Sequence, residues 1–195
     1  MKNVPKVSKE TKKLLDKRKS VYVDIGCGAN KQGKNWFGID YRQLPGVDLV
    51  QNLEIFPWLI PSETFTTAVA SHVVEHIQPS QGIFISFMNE VWRILKPEGD
   101  FLISAPYCTS PGMFRDPTHC NFINEETWSY FDPHDQFYNG GLYHIYAPLP
   151  WKIKINTWNN NGNVEVVLTK REILPEHKVD LEYLRLLKES TKKLK

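Results

Sequence analysis

At 195 residues, with 41% hydrophobic and 24% charged side chains, the chain has the size and composition of one globular domain, not of a disordered or fibrous protein. No apolar run approaches the ~20 residues that span a bilayer, and the N-terminal MKNVPKVSKETKKLLDKRK lacks the apolar stretch of a signal peptide. Cys27, Cys108 and Cys120 are odd in number and form no CxxC pair, which argues against a disulfide framework or zinc knuckle; the expected location is the cytoplasm.

The net charge of +2 hides an uneven distribution. Residues 1–19 carry eight Lys or Arg, and residues 188–195 carry four Lys. The remaining 12 basic and 19 acidic residues give 20–187 a charge near −7. A protein that grips a phosphate backbone concentrates positive charge around its working face. Here the basic residues sit at the two ends, which read as solvated helical segments or as a tether to something anionic.

In chain order, Ser8 to Lys19 has helical spacing, anchored only by Leu14 and Leu15. Ser20–Ile25 is a β-branched run that reads as a buried strand, and Gly26-Cys-Gly28 punctuates it. Trp36–Asp40, Asp48–Val50 and Thr66–Ser71 are further strands. From Ser80 to Leu95 the apolar residues Ile83, Phe84, Phe87, Met88, Val91, Ile94 and Leu95 recur at helical spacing, until Pro97 and Gly99 stop the helix. Asp100–Ala105 is a fifth strand. Trp151–Trp158 and Val164–Leu168 flank a turn containing Asn-Gly and predict an antiparallel hairpin. An amphipathic helix carrying Val179, Tyr183, Leu184 and Leu187 ends the chain. Strands in crossover style followed by one hairpin predict an α/β fold: a Rossmann-like, seven-stranded, mainly parallel sheet with helices on both faces.

In such a sheet the ligand lies outside the carboxyl ends of the strands, near the point where strand order reverses. Asp24-Ile-Gly-Cys-Gly28 falls there, and its glycines let the backbone approach a ligand closely. The third glycine of the dinucleotide fingerprint is absent, with Lys31 in its place. Asp24 would repel a pyrophosphate and attract an ammonium or a sulfonium. Asp40, ending the second strand, is placed to accept both hydroxyls of a ribose.

VDIGCGAN, FGID, VDLVQNLE, ASHVVEHI and FMNEVWRILKPEGDFLISAPY resemble, in this order, the class I S-adenosylmethionine-dependent methyltransferases. The resemblance covers roughly residues 20–107, and the late hairpin is similar to that family's last two strands. It implies S-adenosylmethionine as cofactor. Asp24, Gly26, Cys27 and Gly28 would line its methionine part, Asp40 would hold the ribose, and Asn52 and Leu53 would face the adenine. In that arrangement the Asn52 side chain bonds the exocyclic amine, and Ser71 and His72 border the methionine moiety. No metal ligand is expected among these residues. Three departures stand out: Asn52 where the family often has Asp, Lys-Pro-Glu-Gly in place of Lys-Pro-Gly-Gly, and only nine residues between Gly28 and Gly38. That spacing leaves a turn where the family has a helix, as in a compact subgroup with similar sequences.

The implied organisation is one methyltransferase domain over 1–195: a basic helical segment (1–19), a cofactor-binding half (20–105), a substrate lid region (106–150), the hairpin (151–169) and a terminal helix (175–195). The reaction implied is methyl transfer to an acceptor that the motifs leave unidentified, a small molecule being favoured over nucleic acid. Position and field are the protein's share of such a displacement. Arg115-Asp-Pro-Thr-His119 is similar to a segment of the compact subgroup and nominates His119 as base or substrate clamp, oriented by Asp116. The competing readings are a non-catalytic S-adenosylmethionine-binding or scaffold protein, a nicotinamide oxidoreductase, and a zinc hydrolase. The last rests on His72-Val-Val-Glu-His76, which matches H-x-x-E-H only if it is helical; the strand before it and Pro79 after it favour a strand-to-turn corner, with Glu75 and His76 fixing the loop.

Overall fold

Tyr22–Ile25 forms the first strand (β1) and buries Val23, Asp24 and Ile25, as a strand covered on both faces must. The computed structural model describes residues 13, 15–16, 21–158 and 162–177. Nearly all of the expected N-terminal helical segment and C-terminal helix lies outside them. Beside β1 run β2 (Trp36–Asp40) on one side and β4 (Phe65–Ser71) on the other, both parallel to it. β3 (Leu49–Val50) lies beyond β2, and β5 (Leu95–Pro106) lies beyond β4. β7 (Asn163–Lys170) joins β5 antiparallel, and β6 (Trp151–Trp158) forms the edge. The seven-stranded order is therefore β3-β2-β1-β4-β5-β7-β6. Strand order reverses between β1 and β4, and this sets the crevice at their carboxyl ends.

The connection from β1 to β2 contains turns and no helix, as its length requires. The long helix of the described residues, α1 (Ile83–Ile94), buries Phe84, Phe87, Met88, Val91 and Ile94, the stripe expected from the sequence. Phe87 meets Phe101 of β5 and Trp58, with ring centroids 6.4 and 5.7 Å apart. Its polar flank is buried too, because two loops fold over it. Glu90 accepts the Trp58 amide at 2.9 Å, and Asn89 accepts that of Leu149 at 2.8 Å.

β5 begins earlier than expected. Leu95 pairs with Phe65, the register then shifts over the exposed Lys96-Pro-Glu segment, and Asp100 resumes opposite Thr67. The hairpin is present, with residues 159–161 of its turn outside the described residues. On the edge strand the exposed Lys152 and Lys154 discourage pairing with another chain.

The expected lid region divides. Two short helices, α2 (Pro111–Arg115) and α3 (Tyr143–Tyr146), bracket a 3-10 segment at Glu125–Tyr130 that the Asn124 side chain caps. Trp128, Phe131 and Tyr143 are core residues, whereas Phe114, Phe122, Phe137 and Tyr146 face solvent. No helix among the described residues is long and apolar enough to cross a membrane.

Candidate functional site

The loop after β1 is drawn onto the end of β2 by backbone bonds. The Gly26 and Cys27 amides both donate to the Ile39 carbonyl, at 2.8 and 3.0 Å. The two acidic residues singled out in the sequence complete the attachment. Asp40 Oδ2 accepts the Gly28 amide at 2.9 Å, and Asp24 Oδ2 accepts the Gln32 amide at 2.8 Å. Burial raises the Asp24 pKa above the usual carboxylate range, opposed by the Gln32 amide and the Lys31 charge. Lys31, which in the sequence only stands in place of a glycine, is a structural clamp. Its Nζ lies 2.6 Å from Asp48 Oδ2, and that carboxylate also accepts the Gly38 amide at 2.9 Å.

Both loop glycines have positive φ, +69° at Gly26 and +55° at Gly28. At Gly26 a Cβ would also stand 2.5 Å from Val73 Cγ2, so conformation and space both demand glycine. Gly28 faces open space, and there the conformation alone selects it.

A cavity of about 570 Å³ opens at this end of the sheet. Its wall includes Gly26, Asp40, Asn52, Leu53 and His72, five of the residues expected to hold a cofactor, together with Asp116. Asp24, Cys27, Gly28 and Ser71 are not part of the wall. Cys27 is buried, and burial with the neighbouring Asp24 and Asp40 pushes its thiol pKa up to about 11, so its side chain is structural. Arg42 and Thr118 also line the cavity and were not singled out from the sequence; His76, noted there only as part of the H-x-x-E-H match, lines it too. Arg42 Nε lies 3.3 Å from Asp40 Oδ1, which also accepts the Arg42 amide at 2.9 Å.

The geometry bears on three of the readings made from the sequence. First, the Asn52 amide oxygen accepts the Glu54 amide at 2.9 Å, which leaves one of its two lone pairs and the NH2 group to face a ligand. Second, Asp116 does not orient the His119 ring. Its Oδ1 accepts the Thr118 hydroxyl at 2.7 Å and the Thr118 amide at 2.8 Å. These bonds hold the Asp116 pKa below the usual value. His119 instead has Nδ1 2.9 Å from the Met113 carbonyl and Nε2 4.0 Å from Glu75 Oε1, and it is not among the residues lining the cavity. Third, His72-Val-Val-Glu-His76 is the strand-to-turn corner expected from its flanks, and not an α-helix. Ser71 ends β4, His72 has φ +56°, and a 3-10 turn covers only Val74–His76. The shared helical face that an inverted zinc-peptidase motif requires does not exist.

What this corner does hold is a cluster. Glu75 is wholly buried, and neither of its carboxylate oxygens accepts a hydrogen bond. The nearest group is the His72 ring, whose Nδ1 lies 3.2 Å from Glu75 Oε1 but off the alignment of a regular hydrogen bond; this close polar contact, and the carboxylate charge with it, draws the His72 pKa upward against the effect of burial. The His76 and His119 rings meet edge to face, with centroids 4.7 Å apart.

No protein-family model and no curated protein matches this sequence. Solved structures do. A SAM-dependent methyltransferase from Archaeoglobus fulgidus is 18% identical, with 89% of this chain and 78% of that one covered at a TM-score of 0.51. The 1,6-didemethyltoxoflavin-N1-methyltransferase of Burkholderia thailandensis, solved with bound 1,6-didemethyltoxoflavin and S-adenosylhomocysteine, is 13% identical over 85% of this chain and 78% of that one, at a TM-score of 0.53. A 16S rRNA (adenine(1408)-N(1))-methyltransferase from Catenulisporales acidiphilia, solved with SAM, is 12% identical over 84% and 90%, also at a TM-score of 0.53. At these identities the likeness establishes architecture: the chain has the Rossmann-like fold that these SAM-dependent methyltransferases share.

Proposed function

We propose that this protein is an S-adenosylmethionine-dependent methyltransferase whose cofactor occupies the cavity at the carboxyl ends of β1, β2 and β4. The observation that carries this reading is the convergence on one cavity of Gly26, Asp40, Asn52, Leu53 and His72, drawn from four separate segments. A carboxylate offers about four acceptor sites. Asp40 uses three, on the Gly28 amide and on Arg42, and has capacity left for a ribose hydroxyl. Leu53 supplies an apolar surface for the adenine, and the Asn52 NH2 group donates to a ring nitrogen. The bare backbone at Gly26 and Gly28 admits the methionine end, and Asp24 beneath the loop favours its positive charges.

The bound cofactor would supply an activated methyl group, and the chain's task is alignment. His72 and Asp116 stand on the same wall and border the position an acceptor would take. The acidic segment 20–187 favours a small acceptor over a polyanion.

Thermal unfolding with S-adenosylmethionine, S-adenosylhomocysteine and NAD, each alone, tests the reading. At a hundred times its dissociation constant a ligand adds ~2.7 kcal/mol. Stabilisation by the two adenosyl compounds and not by NAD is expected. A response to NAD alone would overturn it. Adenosyl binding without S-adenosylhomocysteine release across a panel of hydroxyl, amine and carboxylate acceptors would turn it into a non-catalytic binding protein.

A further inference from the structure

We infer that Glu75, His76 and His119 form a binding site for one divalent transition-metal ion, with zinc the best-suited occupant, bordering the cofactor cavity and reached through His76. One ligand atom from each of the three residues lies within 4.8 Å of the others. Around tetrahedral zinc, with bonds near 2.1 Å, donor atoms sit roughly 3.4 Å apart. Small side-chain rotations close that difference. Two imidazoles and a carboxylate are a donor set suited to zinc, and three protein ligands leave a coordination position open.

Two features mark the cluster as a site and not a chance grouping. The first is Glu75. A fully buried carboxylate with no well-aligned hydrogen bond, and with only the half-exposed His72 ring 3.2 Å from Oε1, is costly unless a cation compensates it. It is also held in place, because its backbone carbonyl accepts the Cys120 and Asn121 amides at 2.9 and 3.0 Å, tying the His119 segment to it.

The second is the orientation of the rings. A carbonyl only accepts, so His119 Nδ1 must donate to Met113, and the neutral ring carries its lone pair on Nε2. That lone pair is 4.0 Å from Glu75 Oε1, so two acceptors flank a position that a cation would satisfy. His76 is set by a relay. The Thr118 hydroxyl gives its proton to Asp116 at 2.7 Å and accepts from His76 Nδ1 at 3.0 Å, which leaves the lone pair on Nε2. Carboxylate-backed imidazoles of this kind fix the tautomer of metal-ligating histidines.

The site itself is independent of the proposed function; its use rests on that reading. A metal here would take an acceptor bearing an oxygen nucleophile, an alcohol or phenol. Coordination lowers the hydroxyl pKa, and the proton leaves to solvent. The oxygen then forms its bond to the methyl carbon as the carbon–sulfur bond breaks, and sulfur keeps the electron pair.

The rival explanation of Glu75 is charge compensation by His72 alone, and the experiment separates the two. Full-length protein stripped with a chelator is titrated with Zn2+ by calorimetry, and with Co2+ while visible absorption is followed. One equivalent should bind. Glu75→Gln and His119→Ala should each weaken it by 100-fold or more, and Thr118→Ala by ~10-fold, the lower end for outer-shell partners. His72→Asn should retain it. Circular dichroism and S-adenosylhomocysteine binding on the same samples report folding. Absence of zinc binding by the wild type would overturn the proposal, as would undiminished binding by the Glu75→Gln/His119→Ala double variant. A cobalt spectrum dominated by thiolate charge transfer would do the same. Failure with S-adenosylhomocysteine still bound leaves the methyltransferase reading intact; metal binding without adenosyl affinity does the reverse.

Discussion

Asp40 accepts the Gly28 amide at 2.9 Å, twelve residues upstream, and through this bond the end of β2 holds the loop after β1 in shape. The same carboxylate lines the cavity, so one side chain both builds the loop and faces the ligand.

Replacing it separates the two roles. A hydrogen bond to a charged group contributes ~1.5–3 kcal/mol, which corresponds to about 10–100-fold in affinity. Asp40→Ala should lose that much S-adenosylhomocysteine affinity and also lower the melting temperature of the ligand-free protein. In Asp40→Asn the amide oxygen still accepts from Gly28, so stability should stay nearer wild type while affinity falls. Titration calorimetry beside thermal unfolding checks both, and unchanged affinity in Asp40→Ala would remove the ribose role.

Gly26 offers a test of the loop itself. With φ at +69° and a Cβ position 2.5 Å from Val73 Cγ2, Gly26→Ala carries both backbone strain and overlap. Together these should cost about 2–4 kcal/mol in denaturant unfolding. In the Gly26→Ala/Val73→Ala double variant the overlap is relieved and the strain is not. The pair should therefore be non-additive, the double costing less than the sum of the singles.

The core frame was legible because it is written in periodicities. Ile83 to Ile94 repeats at helical spacing, Trp151–Trp158 alternates, and glycines punctuate the first strand. Asp40 was legible because a parallel sheet delivers strand ends to one crevice. Glu90 and Arg93 were not, since polar residues on an amphipathic helix look like its solvent face until the loop at 58–62 covers them. The link between His76 and Thr118 spans 42 positions, and no local pattern announces a contact of that separation. His72-Val-Val-Glu-His76 has a spacing that suits a helix, but the strand before it and Pro79 after it marked a corner, and the left-handed residue at His72 makes that corner.

That buried pair makes a stability prediction. Arg93 Nε and Nη2 grip the two oxygens of Glu90 at 2.9 and 2.8 Å, and Nη1 donates to the Ile60 carbonyl at 2.7 Å. Arg93→Met would strand the Glu90 charge and leave the Trp58 and Ile60 carbonyls without this donor. A loss of about 3–5 kcal/mol is expected. Urea unfolding measures it, and a loss below 1 kcal/mol would show that the pair contributes little to holding the 58–62 loop on α1.

Lys170 makes the pH prediction. Its side chain is buried, with Nζ 2.6 Å from the Leu95 carbonyl and 3.9 Å from the centroid of the Trp92 ring. Burial lowers its pKa from 10.5 to about 8, only partly opposed by Glu63, and Arg93 adds to the lowering. Between these values the unfolded chain holds the proton and the folded one has released it. The contribution of Lys170 to stability should therefore rise with pH from about 8 to 10.5, on the order of 3 kcal/mol in all. Cys27 and Tyr143 act in the opposite sense, since burial pushes their pKa values up to about 11 and about 12. The raw wild-type profile therefore mixes the two. The difference between wild type and Lys170→Met isolates the lysine: unfolding free energies of the two proteins should converge, or cross, in favour of the wild type as pH climbs from 8 to 10.5. A difference that stays constant over that range would mean that the ammonium is not destabilised by its surroundings.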